Sequence, residues 1–223
     1  MEAGHIAVSA SAKPSAKGLD YLMHVPTAYA RSRRKWPVVL FLHGSGERGN
    51  DVWQVCKNGP PKLLKQGWDA PAIVVSPQCP SGSRWDAHYN TLIDLLADVA
   101  GCFRTDQCRT YLTGLSMGGY GTWEMGALHP TRFAALLPIC GGVRSTFKFA
   151  QYADGLKNMP IWCFHGARDD IVPLRASEVL VDRIRSIGGA PLFTIYPRVG
   201  HVSWIKTYAN PDGWAWLFKQ KQK

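Results

Sequence analysis

The sequence predicts one α/β domain, in which a mostly parallel sheet is covered by helices on both faces. Short, continuous apolar runs of strand type alternate along the chain with segments of helical spacing. Several of these apolar runs end directly in glycine-rich loops, which is where α/β folds place their sites. The chain of 223 residues is long enough for one such domain with a sizeable core. No internal repeat or linker divides it.

The first 113 residues contain four predicted strands and two predicted helices. Residues 1–18 are rich in Ser, Ala, Lys and Gly and are expected to form a flexible tail or a weakly ordered first strand, ahead of one domain over residues 19–223. Residues 19–25 are expected to form an edge strand that ends at Pro26. Buried strands are predicted at 38–42, 72–76 and 110–113, and helices at 61–66 and 91–103.

The second half of the chain continues the same alternation. Apolar runs predict the strands, and helical spacing or a glycine pair after the last turn predicts the helices. The predicted strands are 133–139, 161–164 and 192–196, and the predicted helices are 120–128, 174–187 and 214–219. No long insertion separates the last strands, so we expect an open site without a large lid.

Ser116 lies in the motif around which the chain is organised. Residues 114–118 read Gly-Leu-Ser-Met-Gly, between a predicted strand and a predicted helix, which is the context of a nucleophile elbow. Glycine at both ends keeps side chains out of the tight turn, so that the serine hydroxyl is exposed. The N–H of Met117 begins the following helix and is available to an oxyanion. An ordinary serine in a glycine-rich loop is the alternative interpretation.

A second glycine-rich loop follows the predicted strand 38–42. It reads His-Gly-Ser-Gly-Glu-Arg-Gly over residues 43–49, and it lacks the Gly-Lys-Ser/Thr ending of a phosphate-binding loop. A loop in this position can supply a second oxyanion donor from the backbone of Ser45 or Gly46. His43 is expected to be structural, with its ring bonded inside the loop.

A serine nucleophile needs a histidine base and a carboxylate that orients the base. His201 follows the last predicted strand, and Asp169 and Asp170 follow the strand 161–164. Nucleophile, acid and histidine therefore occur in the chain order typical of this arrangement, each after the end of a strand. Only one aspartate can face His201, and position alone does not decide between them. His165, at a strand end, is expected to be structural.

Charge and hydropathy argue against a nucleic-acid-binding or membrane-spanning protein. The net charge is +10, but residues 1–35 and 198–223 each contribute +4 and residues 36–197 only +2. The basic residues are therefore mostly terminal, where a solubilising role is favoured over attraction to anionic surfaces. No apolar run approaches the roughly 20 residues of a membrane span, and none has the pattern of a secretion signal.

The six cysteines form no Cys-x-x-Cys pair and no cluster with zinc-ligand spacing. We therefore expect reduced thiols and a cytoplasmic protein, although Cys102 and Cys108 are near enough in sequence to form a disulfide. A serine nucleophile with a histidine base and a carboxylate requires neither a metal nor a cofactor.

The motifs together make the chain similar to α/β-hydrolases of the phospholipase/carboxylesterase type, close to predicted peptidases and esterases related to polyhydroxybutyrate depolymerases. The resemblance extends from about residue 19 to the C-terminus. It is carried by Leu-His-Gly-Ser-Gly-Glu-Arg-Gly (42–49), Gly-Pro-Pro (59–61), Pro-Gln-Cys (77–79), Tyr-Leu-Thr-Gly-Leu-Ser-Met-Gly-Gly (111–119), Phe-His-Gly-Ala-Arg-Asp-Asp-Ile-Val-Pro (164–173) and Gly-His-Val-Ser-Trp (200–204).

The resemblance implies roles for five residues of this sequence. Ser116 matches the nucleophile, Asp169 rather than Asp170 the acid, and His201 the base, and the N–H groups of Ser45 and Met117 match the oxyanion hole. The implied reaction is hydrolysis of small carboxylic esters with short or medium acyl chains.

Two other functions are also compatible with these motifs. A peptidase or amidase would use the same triad, and a non-catalytic binding protein would keep the scaffold while its basic ends attract anionic polymers. The complete set of triad residues counts against the second alternative. Trp85 and Trp204 are expected to form walls of the substrate pocket, with packing in the core as the alternative interpretation of both.

Overall fold

The computed structural model describes residues 6–8, 18–145 and 147–222, which form one eight-stranded sheet and the helices around it. The strands are β1 (Ile6–Val8), β2 (Tyr21–His24), β3 (Trp36–Leu42), β4 (Ile73–Pro77), β5 (Thr105–Leu115), β6 (Ala135–Ile139), β7 (Trp162–Gly166) and β8 (Leu192–Tyr196). The helices are α1 (Gly59–Lys65), α2 (Tyr89–Cys102), α3 (Met117–Leu128), α4 (Phe149–Leu156), α5 (Arg175–Ser186), α6 (Ser203–Tyr208) and α7 (Pro211–Lys219).

The sheet has the strand order β1-β2-β4-β3-β5-β6-β7-β8. Strand β2 pairs antiparallel with β1 and with β4, and the other pairings among the described strands are parallel. The prediction that 19–25 form an edge strand is wrong, because Ile6–Val8 pairs on the outer side of β2. The rest of the expected N-terminal tail, residues 1–5 and 9–17, lies outside the described residues.

Strand β3 shows why both faces of the sheet are covered. Its seven residues are all buried, and side chains on a strand alternate between the two faces. Leu40 and Leu42 belong to a core cluster that includes residues of α2 to α5, whereas Val39 and Phe41 belong to a second cluster with residues of α1, α6 and α7. A strand that is buried on both faces must be apolar throughout, which explains the continuous run in the sequence.

The carboxyl ends of the central strands lie side by side at one edge of the sheet. Leu42 at the end of β3 pairs with Gly114 of β5, and Gly166 at the end of β7 pairs with Tyr196 at the end of β8. The loops that follow β3, β5, β7 and β8 therefore converge on one rim, as expected for a site in an α/β fold.

Helices α4 and α6 were not predicted from the sequence, and β5 begins five residues before its predicted start at 110. The two helices contain only eight and six residues, which is too short for a clear helical period. The first half of β5 is polar and partly exposed, so the apolar run marked only its buried end.

Candidate active site

Ser116 occupies a strained turn between β5 and α3. Its backbone has φ 52° and ψ −116°, a conformation that non-glycine residues rarely adopt. A Cβ at Gly118 would lie 1.8 Å from the carbonyl oxygen of Leu42, and one at Gly114 would lie 2.4 Å from that of Gly118. Both positions therefore need glycine, because neighbouring backbone atoms leave no room for a Cβ there.

The side chains of Ser116, His201 and Asp169 form a continuous hydrogen-bonded series. The Oγ of Ser116 lies 2.9 Å from Nε2 of His201, and Nδ1 of the same ring lies 2.8 Å from Oδ2 of Asp169. A carboxylate only accepts hydrogen bonds, so the proton of a neutral ring is assigned to Nδ1 and Nε2 is left to accept from the serine. This is the protonation state in which a histidine can act as a base.

Asp169, and not Asp170, faces the histidine. The Asp169 side chain is fully buried, and its Oδ1 accepts hydrogen bonds from the N–H groups of Ile171 (3.0 Å) and Val172 (2.8 Å). The side chain of Asp170 is exposed, and no described residue makes a hydrogen bond or ion pair with it. The structure therefore separates the two adjacent aspartates, which the sequence positions alone could not do.

His165 supports the turn that carries Asp169. Its Nε2 lies 2.9 Å from the carbonyl oxygen of Val172 and 3.2 Å from Oδ2 of Asp169, and its Nδ1 lies 2.8 Å from Oγ of Ser177. Burial lowers the pKa of this imidazole below its ordinary value, which favours the neutral ring. His165 is therefore a structural residue, as expected from its position at the end of β7.

The loop after β3 is held by the ring of His43. Its Nδ1 donates to the carbonyl oxygen of Gly44 at 2.6 Å, and its Nε2 accepts from the N–H of Cys79 at 2.9 Å. Burial lowers the pKa of His43 to about 4, so the ring is neutral at pH 7. The Pro-Gln-Cys motif thus has a structural use, because it docks the β4 loop onto this ring.

Trp85 completes the support of the same loop. Its Nε1 donates to the carbonyl oxygen of His43 at 2.9 Å, its ring meets the His43 ring edge-on, and it has no exposed surface. The prediction that Trp85 forms a wall of the substrate pocket is wrong, because the ring is buried in the core and cannot reach a ligand. An arginine–tryptophan pair in a loop did not indicate which of its two residues would face the site.

The ring of Trp204 packs against the ring of His201. Its ring meets that of His201 edge-on at 5.2 Å, and its Nε1 donates to Oδ1 of Asn58 at 3.0 Å. Asn58 in turn donates to Glu47 in the loop after β3. Only 9 % of Trp204 is exposed, and its contact with substrate stays a prediction. No pattern in the sequence indicates that Asn58 connects Glu47 to Trp204.

An open cleft of about 500 Å³ lies above Ser116. Ser45 and Met117 line it together with the serine, and their N–H groups have no hydrogen-bond acceptor among the residues that the structure describes. Unpaired N–H groups beside a nucleophile are suited to binding an oxyanion. Another cavity, of about 350 Å³, lies near the amino ends of β3 and β5 and contains none of the triad residues.

Comparison with known proteins agrees with this geometry. The sequence profile of the Phospholipase/Carboxylesterase family matches residues 83–210, more than half of the chain. The chain belongs to this family. The sheet and its helices have the arrangement of an α/β-hydrolase, as in an esterase structure that the chain resembles.

The individual proteins that the chain resembles are also named as esterases or as a depolymerase. The chain is 28 % identical over 193 residues to a poly(3-hydroxyoctanoate) depolymerase from Pseudomonas fluorescens, covering 74 % of this chain and 68 % of the relative. It is 26 % identical over 166 residues to a probable feruloyl esterase C from Aspergillus terreus, covering 70 % and 57 %. The crystal structure of a thermostable esterase superposes with a TM-score of 0.80 at 32 % identity, covering 97 % of this chain and 63 % of that one. The matched region thus spans about two thirds of the length of each of these three proteins, or less.

Cys140 lies close to Asp169 and His201. One ligand-type atom each from Cys140, Asp169 and His201 lie within 4.8 Å of one another. Burial raises the pKa of the Cys140 thiol to about 12, so this thiol is protonated at neutral pH in the metal-free protein. The carboxylate and the imidazole are already bonded to each other, which fits a triad better than a metal centre.

The cleft also contains residues that the sequence did not single out. Arg48, Arg84, Tyr120 and Arg144 line it beside Ser116. Arg48 belongs to a family motif and Arg84 precedes Trp85, but nothing in the sequence brings Arg144 to the same place. In the parts of the chain that the structure describes, the six cysteines are free thiols, and none of the helices is long and apolar enough to cross a membrane.

Proposed function

We propose that this chain hydrolyses carboxylic esters of short to medium acyl chains through an acyl-enzyme, with Ser116 as nucleophile, His201 as base and Asp169 as acid. The observation that carries the proposal is the position of the His201 ring between the other two side chains, 2.9 Å from Ser116 and 2.8 Å from Asp169. A serine hydroxyl is too weak an acid to attack an ester unaided, and a base at hydrogen-bond distance removes that difficulty.

In the first half of the reaction Ser116 attacks the ester carbonyl while Nε2 of His201 takes its proton. Negative charge then develops on the carbonyl oxygen, where the N–H groups of Ser45 and Met117 stabilise it. One such donor is typically worth about 10²–10³ in rate. The imidazolium forms next to the buried carboxylate of Asp169 and is stabilised by it. It then protonates the leaving alcohol, which leaves the acyl group on Ser116.

In the second half a water molecule replaces the alcohol. His201 takes a proton from that water, the same two N–H groups hold the second oxyanion, and Ser116 leaves with the proton returned by His201. Each step uses only groups of this chain, together with substrate and water.

The proposed limit on acyl length follows from the form of the site. The cleft is open and measures about 500 Å³, and no described helix or loop folds over Ser116 as a large lid. An open, partly polar cleft does not enclose a long alkyl chain, so a long chain would gain little from burial there.

A series of 4-nitrophenyl esters from acetate to palmitate tests the proposal. We expect kcat/KM to be highest for short or medium chains and to fall towards palmitate. Fluorogenic dipeptide amides, measured in parallel, represent the peptidase alternative. Faster cleavage of the amides than of the esters would replace the esterase proposal, and a maximum at palmitate would contradict the acyl-length part of it. Retention on heparin without hydrolysis of any ester would favour the binding-protein alternative.

A further inference from the structure

Three arginines line the cleft beside the proposed nucleophile, although the central part of the chain carries little net charge. Residues 36–197 have a balance of only +2, yet Arg48, Arg84 and Arg144 all face the same space as Ser116. Within the described residues, no carboxylate forms an ion pair with any of the three. The cleft therefore brings together three arginines that form no ion pair with a described carboxylate.

The guanidinium of Arg48 already makes two hydrogen bonds within the protein. Its Nε donates to the carbonyl oxygen of Ser45 at 3.0 Å, and its Nη1 donates to that of Ser83 at 3.1 Å. The side chain thereby joins the loop after β3 to the loop after β4. Arg84 is exposed, and its side chain makes no hydrogen bond with any described residue, so its guanidinium is available to a ligand.

Arg144 lines the cleft with a guanidinium that is not fully hydrogen-bonded. Its Nη1 is buried and has no hydrogen-bond acceptor among the described residues, which is unfavourable for a charged donor. Its guanidinium lies over the ring of Tyr120, 4.7 Å from the ring centre. The nearby carboxylate of Glu124 is used elsewhere, because it accepts from the backbone N–H of Arg144 and from the hydroxyl of Tyr89, both at 2.9 Å.

We propose that the cleft binds esters whose acyl part ends in a carboxylate, which pairs with Arg144 and Arg84. This inference rests on the proposed function. A carboxylate is the group that arginine binds with two parallel hydrogen bonds. Arg84 and Arg144 both line the cleft, and neither forms an ion pair with a described carboxylate. The substrate class is then the monoesters of dicarboxylic acids.

The acyl side is chosen because of the position of the base. His201 must protonate the leaving alcohol, so the alcohol lies towards that ring. Ser45 and Met117, which are proposed to hold the oxyanion, line the same cleft as Arg84 and Arg144, whereas His201 is not part of its lining. An acyl group that extends from the carbonyl into this cleft reaches the arginines.

A matched pair of substrates tests the inference. Mono-4-nitrophenyl glutarate carries the carboxylate, and 4-nitrophenyl methyl glutarate has the same chain with the charge removed. We expect the wild type to prefer the charged ester in kcat/KM by about tenfold or more, mainly through KM, as for a partly buried charge pair. In Arg144→Gln the ratio should fall towards one. Arg33→Gln removes the same charge from the exposed loop before β3, and it should leave both rates unchanged.

Two further measurements keep the test informative if Arg144→Gln folds poorly. Raising NaCl from about 0.05 to about 0.5 M should reduce the wild-type preference, because salt screens the attraction. Glutarate should inhibit hydrolysis of the neutral ester competitively. A wild-type ratio of one or less, or a ratio that Arg144→Gln leaves unchanged, would overturn the inference while the esterase proposal stands. If the wild type hydrolyses neither glutarate ester nor 4-nitrophenyl butyrate, the proposed function itself fails.

Discussion

The carboxylate of Asp169 lies 2.8 Å from Nδ1 of His201, while the next residue in the chain, Asp170, is exposed to solvent. Two backbone N–H groups of the same turn also bond to Asp169, which fixes the carboxylate before any substrate binds. One step along the chain thus separates a carboxylate that contacts the His201 ring from a carboxylate at the surface.

This difference predicts unequal effects for two matched substitutions. Asp169→Asn should reduce kcat by about 10³–10⁴-fold, because an amide no longer fixes the tautomer of His201 or stabilises the imidazolium. Asp170→Asn removes the same charge from the surface and should change kcat by less than about twofold. Both are measured with 4-nitrophenyl butyrate. An inactive Asp170→Asn beside an active Asp169→Asn would reverse the assignment.

The elbow glycines lead to a prediction about stability. Gly118→Ala would place a Cβ 1.8 Å from the carbonyl oxygen of Leu42, which is backbone and cannot move aside cheaply. We expect a loss of about 3 kcal/mol or more in the free energy of unfolding. Gly46→Ala is the control, because nothing lies within 4 Å of its new Cβ, and it should change stability by less than about 0.5 kcal/mol. Urea unfolding measures both, and equal stability of the two variants would contradict the packing described for the elbow.

His43 predicts how stability depends on pH. Burial lowers its pKa from 6.5 in the unfolded chain to about 4 in the folded protein, so the folded state favours the neutral ring. Its contribution is complete above pH 6.5 and is lost as pH falls towards the folded value, a loss of about 3 kcal/mol. Burial also lowers the pKa of His24 and His165, which acts in the same direction.

Urea unfolding at several pH values between 7 and 4 measures this loss, and proton NMR follows the ring itself. We expect the His43 ring protons to show no titration near pH 6.5 in the folded protein. Titration of that ring near pH 6.5 would show that the ring is hydrated or free, and the account of the loop after β3 would then be wrong.

The main features of this fold could be predicted because they have local causes. A strand buried on both faces must be apolar throughout, so β3 could be found from its run of apolar residues alone. Ser116 could be found because the turn that exposes it requires glycine at fixed positions on either side. Chain order then pointed to His201 and to a pair of aspartates.

The features that could not be predicted depend on contacts between distant segments. Trp85 is buried because it packs on His43, 42 residues earlier in the chain, and no local pattern distinguishes this from an exposed ring. Arg144 reaches the cleft through the loop after β6, and Asn58 connects Glu47 to Trp204. Such pairs are brought together only by the order of strands in the sheet, which the sequence did not establish.

Hydrolysis of 4-nitrophenyl butyrate by the wild type and by Ser116→Ala tests the central claim most directly. Removing only the hydroxyl keeps the backbone of the elbow, and equal unfolding curves would show that both proteins are folded. We predict turnover by the wild type and a loss of at least about 10⁴-fold in kcat in Ser116→Ala. Wild-type activity that Ser116→Ala retains would contradict the claim, because another group would then carry out the attack.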